Sequence, residues 1–160
     1  MKSPPENEHF ERLVWHGPYE VAVDSKIKAS SRGQLGFRSV PESIPENGLY
    51  VVIGDHHVHG ARSLLYIGRS IELNRRVGGH GSWLDKEWRP EVYIAKVSSE
   101  KLNDIERLLI GAHSPPYNGT CVGEVPQLSP PLRVWNTGSF FKLLPEVSSS
   151  HPWCDNREDG

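Results

Sequence analysis

Cysteine is scarce. Cys121 and Cys154 are the two thiols in 160 residues, too few and too far apart for a disulfide framework or a zinc knuckle. A reducing compartment follows as the expectation, with the cytoplasm as the default. Long apolar runs are missing as well. Nothing approaches the roughly 20 residues that a membrane helix needs. No hydrophobic stretch follows Lys2, so a signal peptide is not expected. A surplus of one charge sign is also absent. There are 18 Lys and Arg against 20 Asp and Glu, a net charge of -2, which argues against indiscriminate coating of nucleic acid. Hydrophobic residues make up only 36%, and the shortfall sits at the two ends. Met1 to His9 is polar and Pro-containing, and Ser148 to Gly160 is Ser-rich and then charged. Both are expected to be disordered tails around a single domain of residues 10–147. No internal repeat is present.

What is there begins with two apolar, β-rich runs, Gly48-Leu49-Tyr50-Val51-Val52-Ile53 and Ser63-Leu64-Leu65-Tyr66-Ile67. Joined by the polar, His-rich segment Gly54 to Arg62, they read as a hairpin. Ser70 is placed to cap a helix over about Ile71 to Val77, which Gly78-Gly79 would end. Glu91 to Val97 alternates as a third strand. After Ser98-Ser99, the residues Leu102, Ile105, Leu109 and Ala112 recur at helical spacing, and Pro115-Pro116 stops that helix. Upstream, Tyr19 to Val23 could form a short strand, and Lys26 to Arg38 is a basic arm or loop. Downstream, Leu132 to Trp135 and Phe140 to Leu144 are strand candidates. The expected fold is α+β: a small three-stranded antiparallel sheet flanked by helices, with extensions at both ends.

Charge is uneven within that frame. Between Arg62 and Arg89 the basic residues Arg62, Arg69, Arg75, Arg76, Lys86 and Arg89 face three acids, Glu72, Asp85 and Glu87. A local basic face is compatible with an acidic total.

The strings Gly48-Leu49-Tyr50 and Tyr66-Ile67-Gly68, followed by Ser70, Leu73, Arg76, Val77 and His80, then Glu106 in the later helix and Pro116-Tyr117-Asn118 after it, resemble the GIY-YIG nuclease family. The resemblance spans about Gly48 to Gly119. It implies an endonuclease that hydrolyses phosphodiester bonds of DNA, double-stranded in the first instance, with Mg²⁺ as cofactor and Mn²⁺ as a substitute. It implies catalytic roles for Tyr50, Tyr66, Arg76, His80, Glu106 and Asn118. Glu106 is the metal ligand by the same resemblance, and Arg69, Arg75 and Lys86 are nucleic-acid contacts.

Residue chemistry is compatible with those roles. One carboxylate completed by water and phosphate oxygens suits Mg²⁺, which keeps several waters, and the ion would polarise the scissile phosphate. A guanidinium stays charged and forks onto phosphate oxygens. The phenols of Tyr50 and Tyr66 are weak bases at an ordinary pKa of about 10, and nearby cations favour the phenolate. Each residue also has a plainer reading. Strands enrich tyrosine, Arg76 can pair with Glu72 four residues earlier, and Asn118 can be an ordinary turn residue. His56-His57-Val58-His59 carries imidazoles of the kind that bind Zn²⁺ or Ni²⁺, but is read as a variable loop.

A short chain without a recognisable zinc finger or helix-hairpin-helix module looks more like a restriction-type or mobile-element nuclease than a repair nuclease. Cutting both strands at one site would call for a homodimer. The alternatives are a structure-specific repair nuclease, a non-catalytic nucleic-acid-binding module, and a small assembly domain that uses Trp135, Phe140 and Phe141 as a partner surface.

Overall fold

A computed structural model of the chain describes residues 8–23, 35–37, 47–69 and 86–150. Its central hairpin pairs β3 (Gly48–His56) with β4 (Gly60–Arg69) antiparallel. The β3 run is apolar at consecutive positions because the strand is buried on both faces, and every residue from Gly48 to Gly54 is buried. Both strands run further than their apolar stretches suggest. The segment expected as a loop is mostly strand, and only His57 to His59 form the turn.

β5 (Glu91–Lys96) lies on the other side of β3, antiparallel, with Tyr50 opposite Ile94 and Val52 opposite Val92. The sheet does not end there. β1 (His9–Val23) pairs antiparallel with β5 and parallel with β6 (Leu132–Gly138). β7 (Glu146–Ser148) closes that side, and the short β2 (Leu35–Phe37) pairs with β1. The order is β4-β3-β5-β1-β6-β7, a curled, mixed, seven-stranded sheet once β2 is included. Among the described residues one α-helix, α1 (Leu102–His113), packs on it, and a 3-10 turn at Lys86–Trp88 precedes β5.

This corrects the expected architecture. The sheet is not a three-stranded one flanked by helices. Two features hid the extra strands. β1 carries Gly17-Pro18 in its middle, a turn signal in sequence, and the register shifts between His16 and Tyr19 to absorb it. Its alternation is also masked, because Phe10 and Val14 are apolar yet exposed, while Leu13 and Trp15 are buried. The partner of β1, β6, lies more than a hundred residues downstream, beyond the reach of local pattern. Phe140 to Leu144, a strand candidate, is irregular, and the strand falls at Glu146–Ser148 instead. His9 opens β1 and Ser148 ends β7, so both lie in the sheet rather than in tails. The helix expected at Ile71 to Val77 falls outside the described residues.

The core divides between the two faces of the sheet. Leu49, Val51, Ile53 and Ile67, with Leu13, Trp15 and Val134, pack against Leu102, Ile105, Leu108 and Leu109 of α1. The opposite face carries Tyr50, Val52, Leu65, Tyr66, Val92 and Ile94. Helix α1 starts one residue after Lys101, without a side-chain cap from Ser98 or Ser99. It ends at Ser114, whose backbone is left-handed and whose N–H donates to the Ile110 carbonyl.

Polar groups tie the far strands together. The Trp15 indole N–H donates to Asn136 Oδ1 at 2.8 Å, and the Asn136 amide donates to the Leu144 carbonyl at 2.8 Å. The Glu8 carboxylate is buried and takes Arg133 Nε at 2.7 Å and the hydroxyls of Ser150 and Ser148 at 2.8 and 3.2 Å. Burial alone would raise the Glu8 carboxyl, but Arg133 and the serines outweigh it and hold it below the usual carboxylate range.

Candidate active site

Register on the hairpin sets the tyrosines. Tyr50 lies opposite Gly68 and Val52 opposite Tyr66. Directly opposed residues share a face, so Tyr50 and Tyr66 stand side by side with Gly68 between them. Their ring centroids are 5.9 Å apart at 36°. The missing side chain at Gly68 makes this possible. A Cβ there would sit 2.6 Å from Tyr66 Cε1 and 2.7 Å from both Cζ and Oη of Tyr50. Val52, Leu65, Val92 and Ile94 enclose the pair, with Tyr50 fully buried and Tyr66 8% exposed.

One residue on, alternation turns Arg69 to the face where α1 packs. Arg69 Nε donates to Glu106 Oε1 at 3.1 Å, and Nη2 donates to Asn103 Oδ1 at 2.6 Å. Asn103 and Glu106 are three residues apart, hence on one face of the helix. Glu106 follows the fully buried Ile105, which leaves its side chain only 17% exposed. The Arg69–Glu106 pair and the two phenols thus lie on opposite faces of the sheet at the end of β4, one peptide apart at Gly68-Arg69.

Asn118 binds the edge of β4 that no strand among the described residues covers. Its Oδ1 accepts from the Ile67 N–H at 3.0 Å, and its Nδ2 donates to the Ile67 carbonyl at 2.9 Å. The side-chain amide imitates one rung of a neighbouring strand. Tyr117 N–H adds a bond to the Leu65 carbonyl at 3.1 Å. Together they fix the backbone on either side of Tyr66.

At the other end of the hairpin His56 is buried and neutral. Its Nδ1 accepts the N–H groups of Val58 and His59 at 3.0 and 3.1 Å, so the ring proton resides on Nε2 and is donated to Tyr117 Oη at 2.8 Å. Burial, then the neighbouring His57 and His59, push its pKa below the ordinary histidine value. The histidine rings pack against one another, and His56 and His57 against Trp88, rather than converging on a point. Ring centroids are 4.5 Å for His56–His57, His56–His59 and His56–Trp88. Among the described residues no group of three or more His, Cys, Asp or Glu is arranged to hold a metal ion.

Of the residues singled out from sequence, the structure brings Tyr50 to Tyr66, Arg69 to Glu106, and Asn118 to β4. Arg69 reaches the Glu106 carboxylate. Arg75, Arg76 and His80 lie outside the described residues, as does the side chain of Lys86. Asn103 was missed, although its helical spacing from Glu106 marks it. The His56–Tyr117 bond joins residues that no local pattern connects. No helix among the described residues is long and apolar enough to cross a membrane. No protein-family model, curated protein or solved structure matches the chain.

Proposed function

We propose that the chain is a metal-dependent endonuclease of the GIY-YIG kind, hydrolysing phosphodiester bonds of DNA. One observation carries the reading: two phenols packed over a glycine that cannot bear a side chain, next in sequence to an arginine bound to Glu106. In this reading Tyr50 orients the attacking water through Oη. Tyr66 hydrogen-bonds a phosphate oxygen. Arg69 holds the Glu106 carboxylate in place, and Asn118 holds the strand that carries Tyr66. Arg76 and His80 take the phosphate-side roles the motif gives them, and Arg75 and Lys86 hold the DNA backbone.

The donor set fits Mg²⁺. Glu106 offers a carboxylate at the border of the core, and this ion asks for one or two carboxylates with the rest of its shell water and phosphate. When bound, it supplies charge to the scissile phosphate. Mn²⁺ has the same ligand preference. We read the protein as a restriction-type or mobile-element enzyme of the cytoplasm, a homodimer where it cuts both strands.

The decisive experiment uses supercoiled plasmid with and without Mg²⁺, with Glu106→Gln alongside. Nicking or linearisation should need the metal and vanish in the variant, while DNA retention survives. Equal cutting by both proteins would refute the assignment. A second reading, a non-catalytic nucleic-acid-binding module, draws on the complete burial of Tyr50 and the engagement of Glu106 by Arg69. It predicts salt-sensitive DNA retention with no cutting under any metal.

A further inference from the structure

The face that bears Tyr50 continues beyond β5. Gly68, Tyr50, Ile94 and His16 form one cross-strand row through β4, β3, β5 and β1. Alternation along β1 puts Val14, Arg12 and Phe10 on that same face. Register carries it on to Thr137, Trp135 and Arg133 of β6. Near the tyrosines this face is enclosed, but here it is open. Phe10 is 50% exposed, Trp135 44% and Val14 43%. Isolated exposed apolar residues need no explanation, but a contiguous group of them marks a contact surface.

The arrangement of the group narrows the partner. The rings of Phe10 and Trp135 are 5.6 Å apart, tilted at 56°. Trp135 lies opposite Glu146 of β7, and the Glu146 carboxylate receives Arg133. Nearly half of the Trp135 surface is left open to solvent. Arg12 stands in register with Trp135, exposed, its Nε 3.3 Å from Thr137 Oγ1. The acids at the margin are engaged: Arg133 binds both Glu8 and Glu146. A peptide strand would add to an open sheet edge, whereas this is a face. An apolar protein surface would leave Arg12 stranded at its centre. Aromatic rings with a guanidinium beside them suit an unpaired nucleic-acid strand, whose bases stack on the rings and whose phosphates take the cation.

We propose that Phe10, Arg12 and Trp135 form a stacking platform for single-stranded DNA. It lies roughly 20 Å from Tyr50, at about 4.8 Å per strand and 3.3 Å per residue. Resting on the nuclease reading, the inference extends it: the substrate is DNA with an unpaired segment beside the cut, such as a flap or a frayed end.

Binding is measured by fluorescence anisotropy with labelled oligothymidylate of roughly 12 nucleotides. The protein is Glu106→Gln without metal, so that cleavage plays no part. Trp135→Ala should weaken binding about tenfold and Phe10→Ala comparably, while Trp135→Phe keeps most of the affinity. Arg12→Ala should flatten the salt dependence. Melting curves of each variant establish that it is folded, and Trp135→Phe and Arg12→Ala test the platform if Trp135→Ala does not fold. Affinity indifferent to Trp135 and Phe10 overturns the platform. So does a wild-type dimer that Trp135→Ala converts to monomer, which would make the face a contact between two copies of the chain. Trp135-dependent binding by a protein that never cuts would refute the nuclease reading and leave the platform standing. Cutting with Trp135-independent binding would do the reverse.

Discussion

Gly68→Ala isolates the contribution of the tyrosine pair. The residue is not in the left-handed region, so the substitution carries no backbone penalty. Its cost is steric: the new methyl would meet Tyr66 at 2.6 Å and Tyr50 at 2.7 Å. An ordinary contact needs about 3.5–4.0 Å, so one or both rings must move by about 1 Å inside a packed cluster. Overpacking of this kind costs about 1–3 kcal/mol. For a chain of this size that lowers Tm by about 2–12 °C. If the phenols position the reacting groups, a displacement of about 1 Å also lowers the rate about 100-fold. Gly111→Ala serves as the control. Gly111 lies in α1, on the other side of the sheet from the tyrosines, and its Cβ would run into the Glu124 carbonyl, so the substitution disturbs stability without meeting the phenols. Melting curves and initial rates of Mg²⁺-dependent plasmid nicking, per folded molecule, compare the two. Gly68→Ala cutting at the wild-type rate, despite a lowered Tm, would refute the role given to Tyr50 and Tyr66.

Other outcomes follow from the same contacts. Asn118→Ala removes both bonds to Ile67 and should cost about 1–3 kcal/mol by urea titration, at about 0.5–1.5 kcal/mol per bond; nicking should fall more steeply than stability, and an unchanged midpoint would dismiss the brace. Asn136→Ala leaves the buried Trp15 N–H without its acceptor and should cost about 1–3 kcal/mol in the same titration. His113 donates from Nδ1 to the Leu109 carbonyl and accepts the Leu144 N–H at Nε2, and burial holds it, like His56, below the ordinary value of 6.5. The unfolded chain then takes up protons that the folded one refuses, so stability is full above about pH 6.5 and is lost as the pH falls below it. His113→Gln should flatten that decline between pH 6.5 and about 5, and an unchanged slope would rule out His113 as a source.

The parts of the molecule legible in sequence are those governed by short-range pattern. β3, β4 and β5 announce themselves by apolar runs, and α1 by Leu102, Ile105 and Leu109 on one stripe. The tyrosine pair was legible because a strand alternates and a hairpin sets its own register. β1 was not, since Gly17-Pro18 imitates a turn and its outward Phe10 and Val14 blur the alternation. The Arg69–Glu106 bond needed the helix docked against β4, and no spacing in the chain encodes that. Asn118 had two readings from sequence, a site residue by resemblance and an ordinary turn residue, and only its two bonds to Ile67 of β4 show what the amide holds.

The parallel pairing of β1 with β6 has a consequence for biosynthesis. β1 leaves the ribosome before its partner exists, and the strand that covers its far side is made more than a hundred residues later. Until then one row of its N–H and C=O groups has no strand to bond. Pairings of such long sequence separation form slowly, and an unpaired strand edge recruits other chains. Truncation before Leu132 should therefore yield insoluble protein even though the hairpin, β5 and α1 are all present.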